Sequence, residues 1–339
     1  MIESLFQRFV FLFILLIFSL VLCEVGVAKD AMIKRSQYLM GTLVFVTGIA
    51  PDDATARQAV DAGLKEIRRL EELLSTWIPE SELSRVNAAA GQHAVKVSAE
   101  TLNLLDHSLE MDRLTGGSFN IALGPAVVAW NVSEKGRVPT QRELDAVYSL
   151  IDLSQLQLDR HTRTVSLARP GMQIDVGGIG KGFAADLAAE VMETSGATAG
   201  VIAISGDIKT FGRMPDGQKF VFGIQHPRKE QGHVLATIEL ENEAVSTAGD
   251  YQRYFEQDGI RYHHILDPKT LHPARLAQSV TVIASRGVIA DGLDTGIFVM
   301  GPKKGMALIE RLPEVEGVIV DAQGNVFVSS GVKGRLQFQ

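Results

Sequence analysis

Residues Met172–Val191 read MQIDVGGIGKGFAADLAAEV, and the fold turns on how this stretch is understood. It reads as a short strand ending in an acid, then a glycine-rich turn that carries a lysine, then an alanine-rich helix. That outline suits a phosphate group. Glycines let backbone N–H groups approach an anion closely, the helix N-terminus adds partial positive charge, and Lys181 adds a formal one. The ligand expected on these grounds is a nucleotide or dinucleotide. The turn is not a Walker A loop, because Gly182 stands where Ser or Thr would have to reach a magnesium ion. Gly180, Gly182 and Ala185 match the looser G-x-G-x-x-A dinucleotide pattern, but three small residues opening an alanine-rich helix also serve tight strand-to-helix packing.

Outward from this unit the chain is strand-rich on the C-terminal side. Runs near Leu156–Leu158, Thr164–Leu167, Val201–Ile204, Phe220–Ile224, Val234–Leu240 and Ser279–Ile283 are separated by turn signals such as Asp216-Gly217 and Asp258-Gly259. Short turns between neighbouring strands imply antiparallel pairing. The N-terminal side is mainly helical after a strand around Thr42–Thr47. Ala56, Val60, Leu64, Ile67 and Leu74 recur at helical spacing over Asp53–Leu74. Ser98 caps a second helix that ends at Gly116-Gly117, and Thr140 with Glu143 forms a capping box for a helix to about Leu150. The fold class expected is α/β of the mixed α+β kind, with largely antiparallel sheets flanked by helices.

The chain has 339 residues, 46% hydrophobic and 22% charged, with a net charge of −7. This balance speaks against nucleic-acid binding, which calls for a clustered basic excess. Phe9–Leu22 is an uninterrupted apolar run behind Arg8, at ~14 residues short for a membrane span and suited to an export signal. Gly26, Val27 and Ala28 offer a signal-peptidase site, while Leu20–Cys23 resembles a lipoprotein box with a bulky Leu22 before the cysteine. Residues 1–28 are thus expected to be a signal peptide or lipoprotein signal, and the protein to be exported, periplasmic, and either free or anchored by a lipid on Cys23. Cys23 is the single cysteine, so no disulfide framework supports the rest of the chain.

Three clusters carry candidate chemistry. In ADGLDTGIF, Asp291, Asp294 and Thr295 stand at i, i+3 and i+4 of a helix, which puts three oxygen-bearing side chains on one face. Oxygen-only ligands suit Mg²⁺ or Ca²⁺, although capping acids or a solvated helix face give the same pattern. In YHHILDP, paired histidines precede an Asp-Pro turn, and in a strand His263 and His264 face opposite sides, so only one can serve a given site as base. Met40-Gly41-Thr42 interrupts a strand with a glycine, Trp77 is placed to stack on a ring or to fill core, and GGSFNIALGPAVVAW from Gly116 suits a pocket lip or a packed turn.

Taken in order, MGT at Met40, SELSRVN at Ser81, GGSFNIALGP at Gly116, IDVGGIGKGFAAD at Ile174, HHILDP at His263 and ADGLDTG at Ala290 resemble the ApbE family of flavin transferases (FAD:protein FMN transferase), from about Ser36 to Gly331. The resemblance implies a two-lobed ApbE-like domain over 35–335. It also implies FAD as substrate, Mg²⁺ as cofactor, and transfer of FMN to a Ser or Thr of an acceptor protein, a membrane electron-transport subunit, with release of AMP. By motif position it places FAD contacts on Met40, Trp77, Ser118, Phe119, Asn120, Asp175, Lys181 and Ile265. The same mapping puts metal ligands on Gly178 (backbone oxygen), Asp291, Asp294 and Thr295, and makes His264 the base. The chain departs from the family pattern in three places. Asn120 replaces the usual Asp of Phe-Asp-Ile-Thr, Leu271 stands where Gly follows Thr270, and Ile204-Ser205-Gly206-Asp207 replaces a Gly-Gly-Asp. Water in place of the acceptor would make the reaction a Mg-dependent FAD pyrophosphatase, and a periplasmic FAD-binding protein without turnover is the non-enzymatic alternative.

Overall fold

The computed structural model describes residues 30–230 and 232–339; the export signal and Cys23 lie outside them. Its centre is an eight-stranded sheet: β1 (Ala31–Leu39), β2 (Thr42–Ala50), β3 (Ala199–Ile204), β4 (Asp207–Phe211), β5 (Ala244–Gly249), β6 (Ala277–Ala284), β7 (Glu316–Asp321) and β8 (Val326–Val328). These strands lie side by side in chain order, and every neighbouring pair is antiparallel. The mixed architecture with antiparallel sheets agrees with the fold class read from the sequence. All eight residues of β6 are buried, as befits a strand covered on both faces.

Seven α-helices are described: α1 (Asp53–Leu74), α2 (Glu82–Ala88), α3 (Ala99–Thr115), α4 (Gly124–Trp130), α5 (Gln141–Tyr148), α6 (Gly180–Thr194) and α7 (Gly287–Ile309). Helices α1, α6 and α7 pack on one face of the sheet, with α6 against both α1 and α7. The other face meets a three-stranded sheet of 220–225, 234–240 and 336–338, where Ile224, Ile238 and Leu240 pack on Val245, Ile283 and Val318. The sequence-read starts of the helices hold. Asp52 accepts the Thr55 N–H, Ser98 accepts that of Thr101, and Thr140 with Glu143 closes a capping box. Helix α3 ends on Gly116 at φ 61°, a left-handed cap that glycine adopts without cost. No described helix is long and apolar enough to cross a membrane.

Two local expectations are corrected. Met172–Val176 forms no strand and joins none of the described sheets. Its backbone is satisfied elsewhere, since the Ile174 N–H donates to Asn87 Oδ1 at 2.8 Å, Ile174 O accepts from Asn87 Nδ2 at 3.0 Å, and the Asp175 N–H donates to Ile121 O at 2.8 Å. A side-chain amide from α2 and a turn therefore replace a ladder partner. Met40-Gly41 likewise does not interrupt a strand. It is the two-residue turn of the β1–β2 hairpin, with φ 52° and 69° at the two positions, the positive pair that matches the strand twist.

Candidate active site

Helices α6 and α7 approach so closely at their N-termini that a Cβ on Gly182 would stand 2.1 Å from the Gly287 carbonyl oxygen and 2.7 Å from Asp291 Cβ. Gly182 is therefore a packing glycine. In the same place the Gly182 N–H donates to Asp291 Oδ2 at 2.8 Å, so this one donor of the turn is taken by a carboxylate of the chain itself. Lys181 is likewise engaged, with Nζ paired to Asp207 and 4.0 Å from Asp291 Oδ1. The turn holds carboxylates, and it is those that face the site.

Asp207, Asp291 and Asp294 are buried, and one oxygen of each lies within 4.8 Å of the others. Asp207 opens β4, while Asp291 and Asp294 occupy one face of α7 as their spacing requires. Ser246 of β5 ties the group together, its hydroxyl lying between Asp207 Oδ1 and Asp294 Oδ2, the latter at 2.6 Å. Thr295 Oγ1 donates to Asp294 Oδ1 at 3.1 Å and would lie 3.0 Å from a Cβ on Gly178, so the Gly178 turn and Thr295 also meet here. Burial, then the charge of Asp207, pushes the Asp291 carboxyl up to about 7 against the pull of Lys181. Burial, then Asp291 and Asp207, raises Asp294 well above the carboxylate range. Lys181 is raised, because Asp207 and Asp291 outweigh the effect of burial. Three buried acids share one lysine. An oxygen-only set short of positive charge fits a hard divalent cation.

The two histidines separate cleanly. His263 is buried with both ring nitrogens used: Nε2 lies 2.7 Å from the Ala274 carbonyl oxygen, and Nδ1 accepts the Ile265 N–H at 3.2 Å. Burial lowers it to about 4, and its place is structural. His264 has Nδ1 at 3.2 Å from the Arg253 carbonyl oxygen, which also accepts the His264 backbone N–H at 3.2 Å. A carbonyl only accepts, so this contact assigns the proton to Nδ1 and leaves the Nε2 lone pair for a substrate proton. Burial first, then His263 and the charges of Arg253 and Lys181, lowers His264 and keeps its ring neutral.

The remaining sequence-derived positions fall into two groups. Phe119 packs against Gly296 of α7 beside Thr295, its N–H held by Thr115 Oγ1 at 3.0 Å. Ser118 lies in the same turn, and Asn120 Oδ1 accepts the Ala122 N–H at 2.7 Å, so the residue in place of the usual Asp is used as a cap. Asp175 accepts the Gly177 N–H at 2.7 Å and is raised by burial. The Met40 N–H donates to Glu71 Oε1 at 2.6 Å, and Ile265 is buried next to His264. Trp77 stands apart. It is 67% exposed beyond the end of α1, which excludes the core-filling reading. Sequence reasoning left out Asp207 and Ser246, of which only an acid after a Ser-Gly turn was visible.

Known proteins resemble this chain both in sequence and in fold. The ApbE family profile matches residues 40–319. A protein of Vibrio cholerae named FAD:protein FMN transferase is 34% identical over 292 residues, covering 84% of this chain and 86% of its own. One of the same name from Treponema pallidum is 32% identical, covering 94% and 93%. Among solved structures, the ApbE protein of Thermotoga maritima superposes with a TM-score of 0.83 at 29% identity, covering 90% of this chain and 99% of its own. The flavin transferase ApbE of Vibrio cholerae superposes with a TM-score of 0.79, also at 29% identity, over 90% and 99%. The fold and the ordered motifs thus define a flavin-transferase class of protein. The chain belongs to the ApbE family.

Proposed function

We propose that this chain is an FAD:protein FMN transferase that moves FMN from FAD to a Ser or Thr hydroxyl of an acceptor protein and releases AMP. The observation that carries the reading is the buried triad of Asp207, Asp291 and Asp294 around Lys181, with the neutral His264 within reach of the same lysine's charge. A divalent ion, Mg²⁺ by its chemistry, would be held by Asp291, Asp294, Thr295 and the Gly178 carbonyl, with Asp207 beside them. When bound it would neutralise pyrophosphate charge. The chain's own residues do the rest. Asp175, Met40, Ser118–Asn120 and Ile265 would contact and orient FAD, with the exposed ring of Trp77 available for stacking. His264 Nε2 takes the proton of the acceptor hydroxyl as its oxygen bonds to the FMN phosphorus, and the bridging P–O bond breaks with its electron pair leaving on AMP.

The acceptor we propose is a membrane electron-transport subunit met outside the cytoplasm, supported by the apolar run Phe9–Leu22 and Cys23 at its end. Purified protein, FAD and Mg²⁺ mixed with the Ser- or Thr-bearing domain of such a subunit should give covalent flavin fluorescence on the acceptor and one AMP per flavin. FMN released free in solution with AMP would mean FAD hydrolysis, and tightly bound FAD with no AMP would mean a binding protein.

A further inference from the structure

Arg253 lies between His264 and the β1–β2 turn, and among the described residues its side chain has no ion-pair partner. Its backbone carbonyl receives both the N–H and the Nδ1 side of His264 at 3.2 Å. Its side chain reaches back to the β1–β2 turn, where Nη2 lies 3.9 Å from the point a Cβ on Gly41 would occupy. Neighbouring arginines are engaged: Arg228 pairs with Asp250 at 2.6 Å and Arg261 with Glu256 at 3.2 Å. Among the described residues the Arg253 guanidinium has no carboxylate within 4.0 Å and no hydrogen bond, and it is exposed. Its charge nevertheless reaches inward: it partly offsets the rise that burial imposes on Asp175, and it adds to the lowering of His264 by burial and His263. His264 thus feels the charge of two cations, Lys181, which pairs with Asp207, and Arg253, whose guanidinium lies at the Met40-Gly41 turn.

We propose that the Arg253 guanidinium contacts the non-bridging oxygens of the phosphate being transferred from FAD, serving as a phosphate-contacting arginine supplied in cis. The inference rests on the flavin-transfer reading above and adds a residue to it. The planar fork of donors matches two oxygens of one phosphate, and positive charge there offsets the charge that spreads over these oxygens as the acceptor oxygen–phosphorus bond forms and the bond to AMP breaks. Arg253 exchanges neither proton nor electrons; the hydroxyl proton goes to His264.

The test uses R253A and R253K in the full chain, with thermal midpoints to show that both fold. R253A should lower kcat for flavin transfer by about 10³-fold, with R253K intermediate and free guanidinium restoring part of the R253A rate. Calorimetry supplies a readout apart from turnover. Inorganic pyrophosphate with Mg²⁺ should bind R253A at least ~10-fold more weakly than wild type, while riboflavin, which carries no phosphate, binds both alike. Riboflavin binding weakened as much as pyrophosphate binding, or R253A transferring at the wild-type rate, would overturn the assignment while leaving the flavin reading intact. A wild-type protein that ignores FAD would instead overturn that reading and this inference with it.

Discussion

Helices α6 and α7 begin in the same way and are used differently. Each opens on glycine with no side-chain cap of its own, and each N-terminus receives a carboxylate from the other helix. Asp186 of α6 accepts the N–H groups of Gly287 at 2.6 Å and Val288 at 3.1 Å, with Arg286 at 3.7 Å. Asp291 of α7 accepts the Gly182 N–H at 2.8 Å, and its other oxygen turns toward Lys181 Nζ at 4.0 Å. The first carboxylate has both oxygens committed to backbone donors and is a cap. The second has spare lone pairs beside two more buried acids, which suits it to a cation. Reciprocal capping thus fixes the distance between the helices and lets one of the two caps double as site chemistry.

The contrast can be broken from either side. Asp291→Asn should lower Mg²⁺-supported flavin transfer by on the order of 10³-fold with little change in thermal midpoint, because the amide still accepts the Gly182 N–H but is a poor metal ligand. Midpoint and activity measured on the same preparation check this, and an unimpaired rate would remove Asp291 from the site. Gly182→Ala should cost about 3 kcal/mol in urea unfolding, since its Cβ meets backbone that cannot rotate away, and activity should fall with the fold. Asp186→Asn should cost about 2 kcal/mol by the same measurement, as one oxygen and the Arg286 pairing are lost, yet keep the transfer rate per folded molecule. A loss of rate without loss of stability would make Asp186 part of the site rather than its frame.

The helices were legible where a local rule governs them. The caps at Ser98 and Thr140, the long amphipathic α1 and the shared face of Asp291, Asp294 and Thr295 follow from spacing alone. The order of the sheet was not, because β5 to β8 meet across insertions whose length says nothing about pairing. Met172–Val176 misled for a related reason: it has a strand's composition, but its partner is the Asn87 side chain, and such a partner leaves no period in the sequence. At the site, the turn from Gly178 to Gly182 was rightly seen as a place where charge gathers. The acids that take the Gly182 N–H and Lys181 were not foreseen beside it, since they lie 109 and 26 positions away in the chain. Asp207 belongs with the metal candidates only once β4 is laid beside β5.

The smallest effect tests the open side of the comparison through pH. In the folded, metal-free chain Asp291 holds its proton up to about 7, whereas the unfolded chain releases it in the ordinary carboxylate range. The folded state therefore binds more protons between these values. The stabilisation this brings is complete below the unfolded pKa and is lost as pH rises through about 7, with Asp294 acting in the same direction. A divalent ion needs these oxygens bare and competes with the proton, so saturating Mg²⁺ should raise the thermal midpoint more at pH 8 than at pH 5.5, by about 1 kcal/mol of stability or a few degrees. Asp291→Asn should flatten the dependence. Asp186, although also raised by burial, should leave it intact when changed to Asn, because its oxygens face backbone N–H groups and not the site. A midpoint shift that is equal at the two pH values would mean the ion binds elsewhere on this acidic protein, and the distinction between the two helix-capping carboxylates would then be one of packing alone.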